Sequence, residues 1–164
     1  GQDVAMIGGG NSALQEALLL SEVCKKVTVV QNLADFTGEK KLSEALLEKD
    51  NVTALFNTVV IGYIVTDGVL SGLQLRNTET GETSSIRVDG AFLAVGLQPE
   101  NEPFAEHAKL NDWGYFDSGE DCCTQTPGLF VAGDCRSKTI RQVVTASADG
   151  AVAAMAACRF LDSI

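Results

Sequence analysis

Residues 4–16 read Val-Ala-Met-Ile-Gly-Gly-Gly-Asn-Ser-Ala-Leu-Gln-Glu, which places Gly8, Gly10 and Ala13 in the spacing G-x-G-x-x-A. The chemistry open to such a segment is capture of a diphosphate by backbone. The first glycine permits a tight turn, the second lets the main chain approach a pyrophosphate, and the small third residue lets a helix pack close on a strand. A helix N-terminus adds open N–H groups and the positive end of its dipole. The pattern is informative because an apolar run precedes it and a helical pattern follows.

Other residues of chemical type are sparse. The five cysteines are Cys24, Cys122, Cys123, Cys135 and Cys158, and none forms C-x-x-C. With one histidine, His107, the chain offers no expected metal site and no Ser–His–Asp constellation. An odd, scattered set of thiols reads as reduced and cytoplasmic. The adjacent Cys122 and Cys123 are expected to be separate thiols, since neighbours seldom meet disulfide geometry. His107 reads as a bystander, Cys135 as a small filler and Trp113 as a packing residue. Glu39, Glu44 and Glu48 read as a solvated face, and Glu16 as a helix carboxylate facing either the phosphate end or solvent. A net charge of −10 argues against a nucleic-acid partner. No continuous apolar run approaches the length of a membrane span.

The elements that must hold these residues follow from periodicity. An apolar strand is expected over residues 3–8 and a helix over 12–24, with Ala13, Leu14, Ala17, Leu18 and Leu20 at helical spacing. A strand at 26–30 completes a right-handed βαβ unit. A second amphipathic helix (40–49) and a third parallel strand (52–56) continue it. Three β-rich segments then follow, at 59–65, 70–76 and 84–88, with turns at Asp67-Gly68 and Thr80-Gly81, as in a meander of hairpins. Residues 91–95 suit a buried strand, broken at Gly96-Leu97-Gln98-Pro99. Beyond residue 98 the text is polar and irregular. Short strands are expected at 115–117 and 128–134, and a long alanine-rich helix at 141–161.

Three blocks carry a resemblance over the whole chain: Val4 to Ala13, Phe92 to Pro99, and Gly128 to Gly150, the last reading GLFVAGDCRSKTIRQVVTASADG. They resemble the C-terminal half of low-molecular-weight thioredoxin reductases, flavoproteins of the pyridine nucleotide-disulfide oxidoreductase family. The resemblance implies an α/β fold: a Rossmann-like parallel sheet with an antiparallel meander over residues 1–97, which would bind NAD(P)H. Residues 98–164 would be a strand–helix piece of an FAD-binding domain. It further implies that Asp134 hydrogen-bonds the ribityl chain of FAD, with Arg141, Gln142 and Val143 at the N-terminus of the last helix against the flavin ring. The cofactor-binding positions it implies are Gly8, Gly9, Gly10, Asn11, Ser12, Ala13, Gln31, Asn32, Gly96, Gly133, Asp134, Arg141, Gln142 and Val143. The implied partner is a thioredoxin-like protein disulfide, and the implied assembly is a homodimer with no membrane or nucleic acid.

The chain departs from that family in two places. A chain that starts at Gly1-Gln2-Asp3 looks like a fragment without the family's first FAD half and redox C-x-x-C, so no catalytic residue is expected here and no turnover from this piece alone. An exposed apolar patch is then expected from Leu129, Phe130, Val131 and the last helix. The second departure lies after the second strand, where NADPH-dependent members carry H-R-R-x-x-x-R. Here the stretch is Gln31-Asn32-Leu33-Ala34-Asp35-Phe36-Thr37, without arginine. A 2′-phosphate loses its charge-assisted contacts, so NADH ranks first, weak or no nucleotide binding second and NADPH third. The expected function is that of an FAD-dependent thioredoxin-disulfide reductase with a hinge near 96–99. The alternatives are a ferredoxin-linked flavin disulfide reductase and a non-catalytic dinucleotide-binding module.

Overall fold

The computed structural model describes residues 1–164 and divides into two compact units, Gly1–Gly96 and Leu97–Ile164. The first holds β1 (Asp3–Ile7), α1 (Asn11–Val23), β2 (Lys26–Val30), α2 (Lys40–Leu47), β3 (Val52–Leu55), β4 (Thr58–Thr66), β5 (Val69–Asn77), β6 (Thr83–Arg87) and β7 (Gly90–Leu93). Four strands form a parallel sheet in the order β3-β2-β1-β7, and β4-β5-β6 form an antiparallel sheet.

Alternation along the central strands assigns each face its partner. Val4 and Met6 of β1, with Val27 and Val29 of β2, join Ala13, Leu14, Ala17 and Leu46 in a core under α1 and α2. Ala5 and Val30 point the other way, into a core with Leu73, Leu75 and Val88 of the meander side. The parallel sheet is thus covered by helices on one face and by the antiparallel sheet on the other. That explains why β1 and β2 read as continuous apolar runs rather than as polar–apolar alternation. Ala13 and Ala17 are fully buried, and their small side chains let α1 lie close to the sheet.

The meander turns as its sequence demands. Asp67 and Gly68 both have positive φ (52° and 79°) between paired Thr66 and Val69, the backbone of a two-residue hairpin turn. At the next turn Asn77 Oδ1 accepts from the N–H groups of Glu79 and Thr80. The expectation of a buried strand at 91–95 is corrected. β7 ends at Leu93, and Phe92, Leu93 and Val95 are exposed, because β7 is an edge strand paired only with β1.

The second unit has little regular structure before α3 (Val143–Leu161). Its core is Ala108, Phe116 and Val131 with Leu110, Leu129 and Cys135. The strands expected at 115–117 and 128–134 are not formed. Phe116 makes single bridges to Leu110 and Arg136, Cys123 makes one to Phe130, and Gly133–Cys135 is a short 3-10 turn. No neighbouring segment runs alongside for more than one residue, so no ladder develops. Asn101 is buried instead and donates to the carbonyls of Gly114 and Cys135. Trp113 is no packing residue. Asn111 Oδ1 accepts from the N–H groups of Trp113 and Tyr115, and the resulting turn leaves the indole exposed.

α3 begins two residues later than expected, because Gln142 is extended and its N–H donates to Thr145 Oγ1. Of the expected apolar patch, Val131 is buried, while Val143, Val144, Met155 and Leu161 on α3 are exposed. At 19 residues α3 is also long and apolar enough to cross a membrane by length and composition, although Thr145, Ser147, Asp149 and Arg159 interrupt its apolar residues. Asp149 lies near its middle. All five cysteines are free thiols.

Fully buried Leu14 and 70% exposed Leu19 lie on the same helix. Leu14→Ala should cost about 2–5 kcal/mol of unfolding free energy, and Leu19→Ala less than about 0.5 kcal/mol, both read by urea denaturation followed by circular dichroism.

Candidate dinucleotide and flavin sites

The three glycines after β1 are required for different reasons. Gly8 has φ +129°, its N–H donates to the Val30 carbonyl, and a Cβ there would stand 2.2 Å from the Ala94 carbonyl oxygen. Gly9 lies under the Gln31 side chain, whose Nε2 would be 2.4 Å from an added Cβ. Its carbonyl accepts from the N–H groups of Thr37 and Gly38 at 2.9 and 3.0 Å and from Thr37 Oγ1 at 3.3 Å. Gly10 is the N-cap of α1 and faces open space, with Thr37 Oγ1 the nearest atom at 3.9 Å. Gly8 is therefore a glycine for the fold and the missing side chain of Gly9 makes room for the Gln31 amide, whereas the bare face of Gly10 is used by nothing in the chain.

The neighbours complete a cradle. No side chain caps α1, and its first turn holds no acid, so its first N–H groups are open to a ligand. Ala13 is buried beneath the turn. Asn11 ties the turn to α2: its Oδ1 accepts from Glu39 N–H at 2.6 Å and its Nδ2 donates to Glu39 Oε1 at 3.3 Å. Ser12 and Glu16 are exposed. A cleft of about 800 Å³ opens above the turn, lined by Gly8, Gly9, Gly10, Gln31, Asn32, Leu33, Thr37, residues 58–63 of β4, and residues 93–96. It lies at the carboxyl ends of β1, β2 and β7, where the strand order reverses about β1, the usual ligand crevice of an open α/β sheet.

Gln31 lines this cleft but is 3% exposed. Its Nε2 donates to the Asp35 carbonyl and its Oε1 accepts from Asn32 N–H. The amide is thereby spent on the β2–α2 loop. Asn32 is exposed at the rim, and Asp35 is the only charged side chain from Gln31 to Thr37. Gly96 closes the lining with φ +103°.

In the second unit Asp134 is exposed within the 3-10 turn, and its carboxylate accepts no hydrogen bond. Its backbone carbonyl accepts from Arg141 Nε at 3.3 Å. The Arg141 guanidinium lies 3.9 Å from the centre of the Tyr115 ring, a cation–π contact. Asp134 and Arg141 share a small cleft of about 250 Å³ with Leu97, Pro99, Asn101, Tyr115 and Cys135. Gln142 and Val143 begin α3, Val143 being 82% exposed, and neither lines that cleft. Gly133 (φ +83°) is buried behind the turn. His107 is exposed, and its carbonyl accepts from Thr126 Oγ1.

Sequence reasoning passed over one cluster. Asp149 is 7% exposed and accepts from Arg136 Nε and Nη2 at 2.8 and 2.9 Å, Lys138 Nζ at 2.7 Å and Gly133 N–H at 3.0 Å. The signal was present: Asp149 is the only acid in an alanine-rich helix. Arg136 above all, then Lys138 and the Gly133 N–H, hold its carboxyl well below the usual carboxylate range against the opposing effect of burial. The same pairing raises Arg136. Burial pushes the Cys122 thiol up, against the pull of Arg136, and desolvation followed by Asp121 does the same to Cys123. Neither is an activated thiolate.

The sequence and the fold match known proteins. Residues 1–150 match the family described as pyridine nucleotide-disulphide oxidoreductase. The chain belongs to that family. It is 31% identical to a thioredoxin reductase of Bacillus subtilis (strain 168), over 100% of this chain and 52% of the relative. It is 32% identical to a 34.2 kDa protein in the rubredoxin operon of Clostridium pasteurianum, over 98% and 52%. A crystal structure of Lactococcus lactis thioredoxin reductase superimposes with a TM-score of 0.89 at 28% identity, covering 99% of this chain and 54% of that one. The chain thus spans about half the length of the curated relatives it matches. As in that oxidoreductase structure, a parallel and an antiparallel sheet share one α/β fold.

Because the Asp149 carboxyl is depressed in the folded state, its stabilising contribution is present above the ordinary carboxylate range and is lost as pH falls towards the folded value. The unfolding free energy should therefore fall more steeply between about pH 5 and about pH 2 in the wild type than in Asp149→Asn, measured by denaturant titration at each pH.

Proposed function

We propose that this chain supplies the reduced-nicotinamide site, and part of the FAD site, of a flavin-dependent reductase acting on a thioredoxin-like protein disulfide. The observation that carries this reading is the bare face of Gly10 beside an uncapped helix N-terminus, at the reversal point of the sheet. A diphosphate fits there because the chain offers N–H donors and no acid in the first turn of α1, and the nearby Glu39 carboxylate is engaged by Asn11 Nδ2.

The second unit fits a flavin on separate grounds. Asp134 presents an unpartnered carboxylate in an exposed turn, suited to accept from ribityl hydroxyls. The first turn of α3 carries no acid, so its N–H groups and dipole favour negative charge on a reduced ring. Arg141, fixed over Tyr115, adds positive charge beside that turn. When bound, a flavin supplies the two-electron chemistry between reduced nicotinamide and disulfide. The residues present position and stabilise. They offer no exchanging dithiol, since no C-x-x-C exists and Cys122 and Cys123 are held as thiols. Residues 1–164 alone should reduce no thioredoxin. A cytoplasmic homodimer accords with reduced thiols and with the family, and belongs to this proposal.

NADH is the preferred donor. The Gln31–Thr37 loop brings one negative charge, Asp35, and no cation, so a 2′-phosphate gains no ion pair there.

Titration of nicotinamide fluorescence should show NADH binding at least about tenfold more tightly than NADPH, with Asn32→Arg/Leu33→Arg narrowing the gap. Bleaching of the flavin-loaded protein by NADPH at lower concentration than NADH overturns the preference. Bleaching by reduced ferredoxin alone overturns the nicotinamide reading.

The glycines separate fold from function. Gly10→Val should abolish NADH binding while leaving the circular dichroism spectrum intact, because a side chain there meets only the open cleft. Gly8→Val should lose the folded spectrum, because its Cβ would collide with the Ala94 carbonyl. A Gly10→Val protein that still binds NADH would remove the diphosphate from this turn.

A further inference from the structure

All four hydrogen bonds to the Asp149 carboxylate come from the short stretch Gly133–Lys138. The Gly133 N–H grips it from the residue before Asp134, and the Arg136 fork grips it from two residues after. Gly133 packs against α3 as well, with only 3.6 Å between an added Cβ and the Ala146 Cβ. Arg136 is held from its other side, where Nη1 donates to the Gly119 carbonyl at 3.2 Å. The Asp149 carbonyl accepts from Cys122 Sγ at 3.5 Å. Between these fixed points the Asp134 side chain alone turns outward, exposed and with its carboxylate unpartnered.

We propose that Asp149 is a positioning residue. By clamping the backbone on both sides of Asp134, it sets where the Asp134 carboxylate stands, and so how a flavin ribityl chain is held, a role that rests on the flavin reading above. Replacing such a buried pair by apolar groups is often neutral or stabilising, so stability alone gives little reason for it. What the cluster does supply is geometry. A bidentate Arg–carboxylate pair fixes both distance and angle, and it adds a hold on both sides of Asp134 to the hydrogen bonds that tie the Asp134, Cys135 and Ser137 backbone to Arg141, Asn101 and Phe116. An alanine-rich helix could pack against this loop without any charge, but it could not then orient a carboxylate three residues beyond Val131.

The test has two independent readouts. The first needs no cofactor: amide hydrogen exchange at Gly133. In Asp149→Asn its protection should fall at least about tenfold while Val29 in the first unit keeps its own. In Asp134→Asn, Gly133 should stay protected. The second is a double-mutant cycle on FAD affinity, followed by quenching of flavin fluorescence. Asp134→Asn and Asp149→Asn should each weaken FAD at least about tenfold, and the double variant should bind no more weakly than Asp134→Asn alone.

A merely structural Asp149 gives additive losses, and that outcome overturns the proposal, as does unchanged protection at Gly133. A wild type that takes up no FAD defeats the flavin reading and, with it, the role in holding a ribityl chain. The exchange experiment still decides whether the clamp exists. If Asp149→Asn does not fold, Arg136→Lys enters the same cycle: it keeps the positive charge and breaks the fork.

Discussion

The Ala94 carbonyl oxygen leaves no room for a side chain at residue 8, and the site in the first unit depends on that close approach. β1 and β7 run parallel with Ile7 opposite Leu93, and the Ala94 N–H donates to the Ile7 carbonyl. The chain leaving β1 must pass directly beneath the chain leaving β7. Only a glycine with positive φ does so while still donating to Val30 on the other side. The pass aims the next two residues at the head of α1 and places that helix end in the crevice. The cradle is thus a consequence of strand packing.

The same economy governs Gly9. Its carbonyl gathers the N–H groups of Thr37 and Gly38, and its missing side chain admits the amide of Gln31. The β2–α2 loop, which borders the rim where an adenosine ribose is expected, is thus built onto the glycine turn itself. A neutral, inward-turned Gln31 removes both a charge and a hydrogen-bonding group from that rim. One contact thus sets both the shape of the turn and the chemistry of that rim.

In the second unit the ordering is electrostatic. With few apolar residues buried and no extended ladder, the loop before α3 is held by a buried carboxylate that accepts four hydrogen bonds. Fully hydrogen-bonded buried charges tolerate little displacement, because each lost bond leaves a desolvated group behind. That intolerance makes such a cluster suitable for holding a neighbouring exposed group in place.

Much of the first unit was legible because its signals are local. The run Asp3–Ile7, the glycine spacing, the helical spacing of Ala13, Leu14 and Ala17, and the Asp67-Gly68 turn each specify their element within a few residues. β2 falls at Lys26–Val30 in both the sequence reading and the structure. The second unit was less legible. Tyr115-Phe116-Asp117 and Gly128-Leu129-Phe130-Val131 have strand composition, yet a strand exists only where a partner runs beside it, and composition says nothing of partners. Trp113 read as a core residue by type and stands in solvent because Asn111 folds the turn beneath it.

The sequence by itself determined which residues could form a diphosphate turn, and in what order helices and strands surround it, since both rest on spacings of two to four residues. Only the tertiary structure decided that Gln31 faces inward, that β7 is an edge, and that Asp149 meets Arg136. Those outcomes depend on Gln31 meeting Gly9, Leu93 meeting Ile7 and Arg136 meeting Asp149, pairs distant in sequence that come together in space. The direction a side chain takes there follows from which hydrogen-bonding partner the returning chain brings within reach, and no periodicity encodes that.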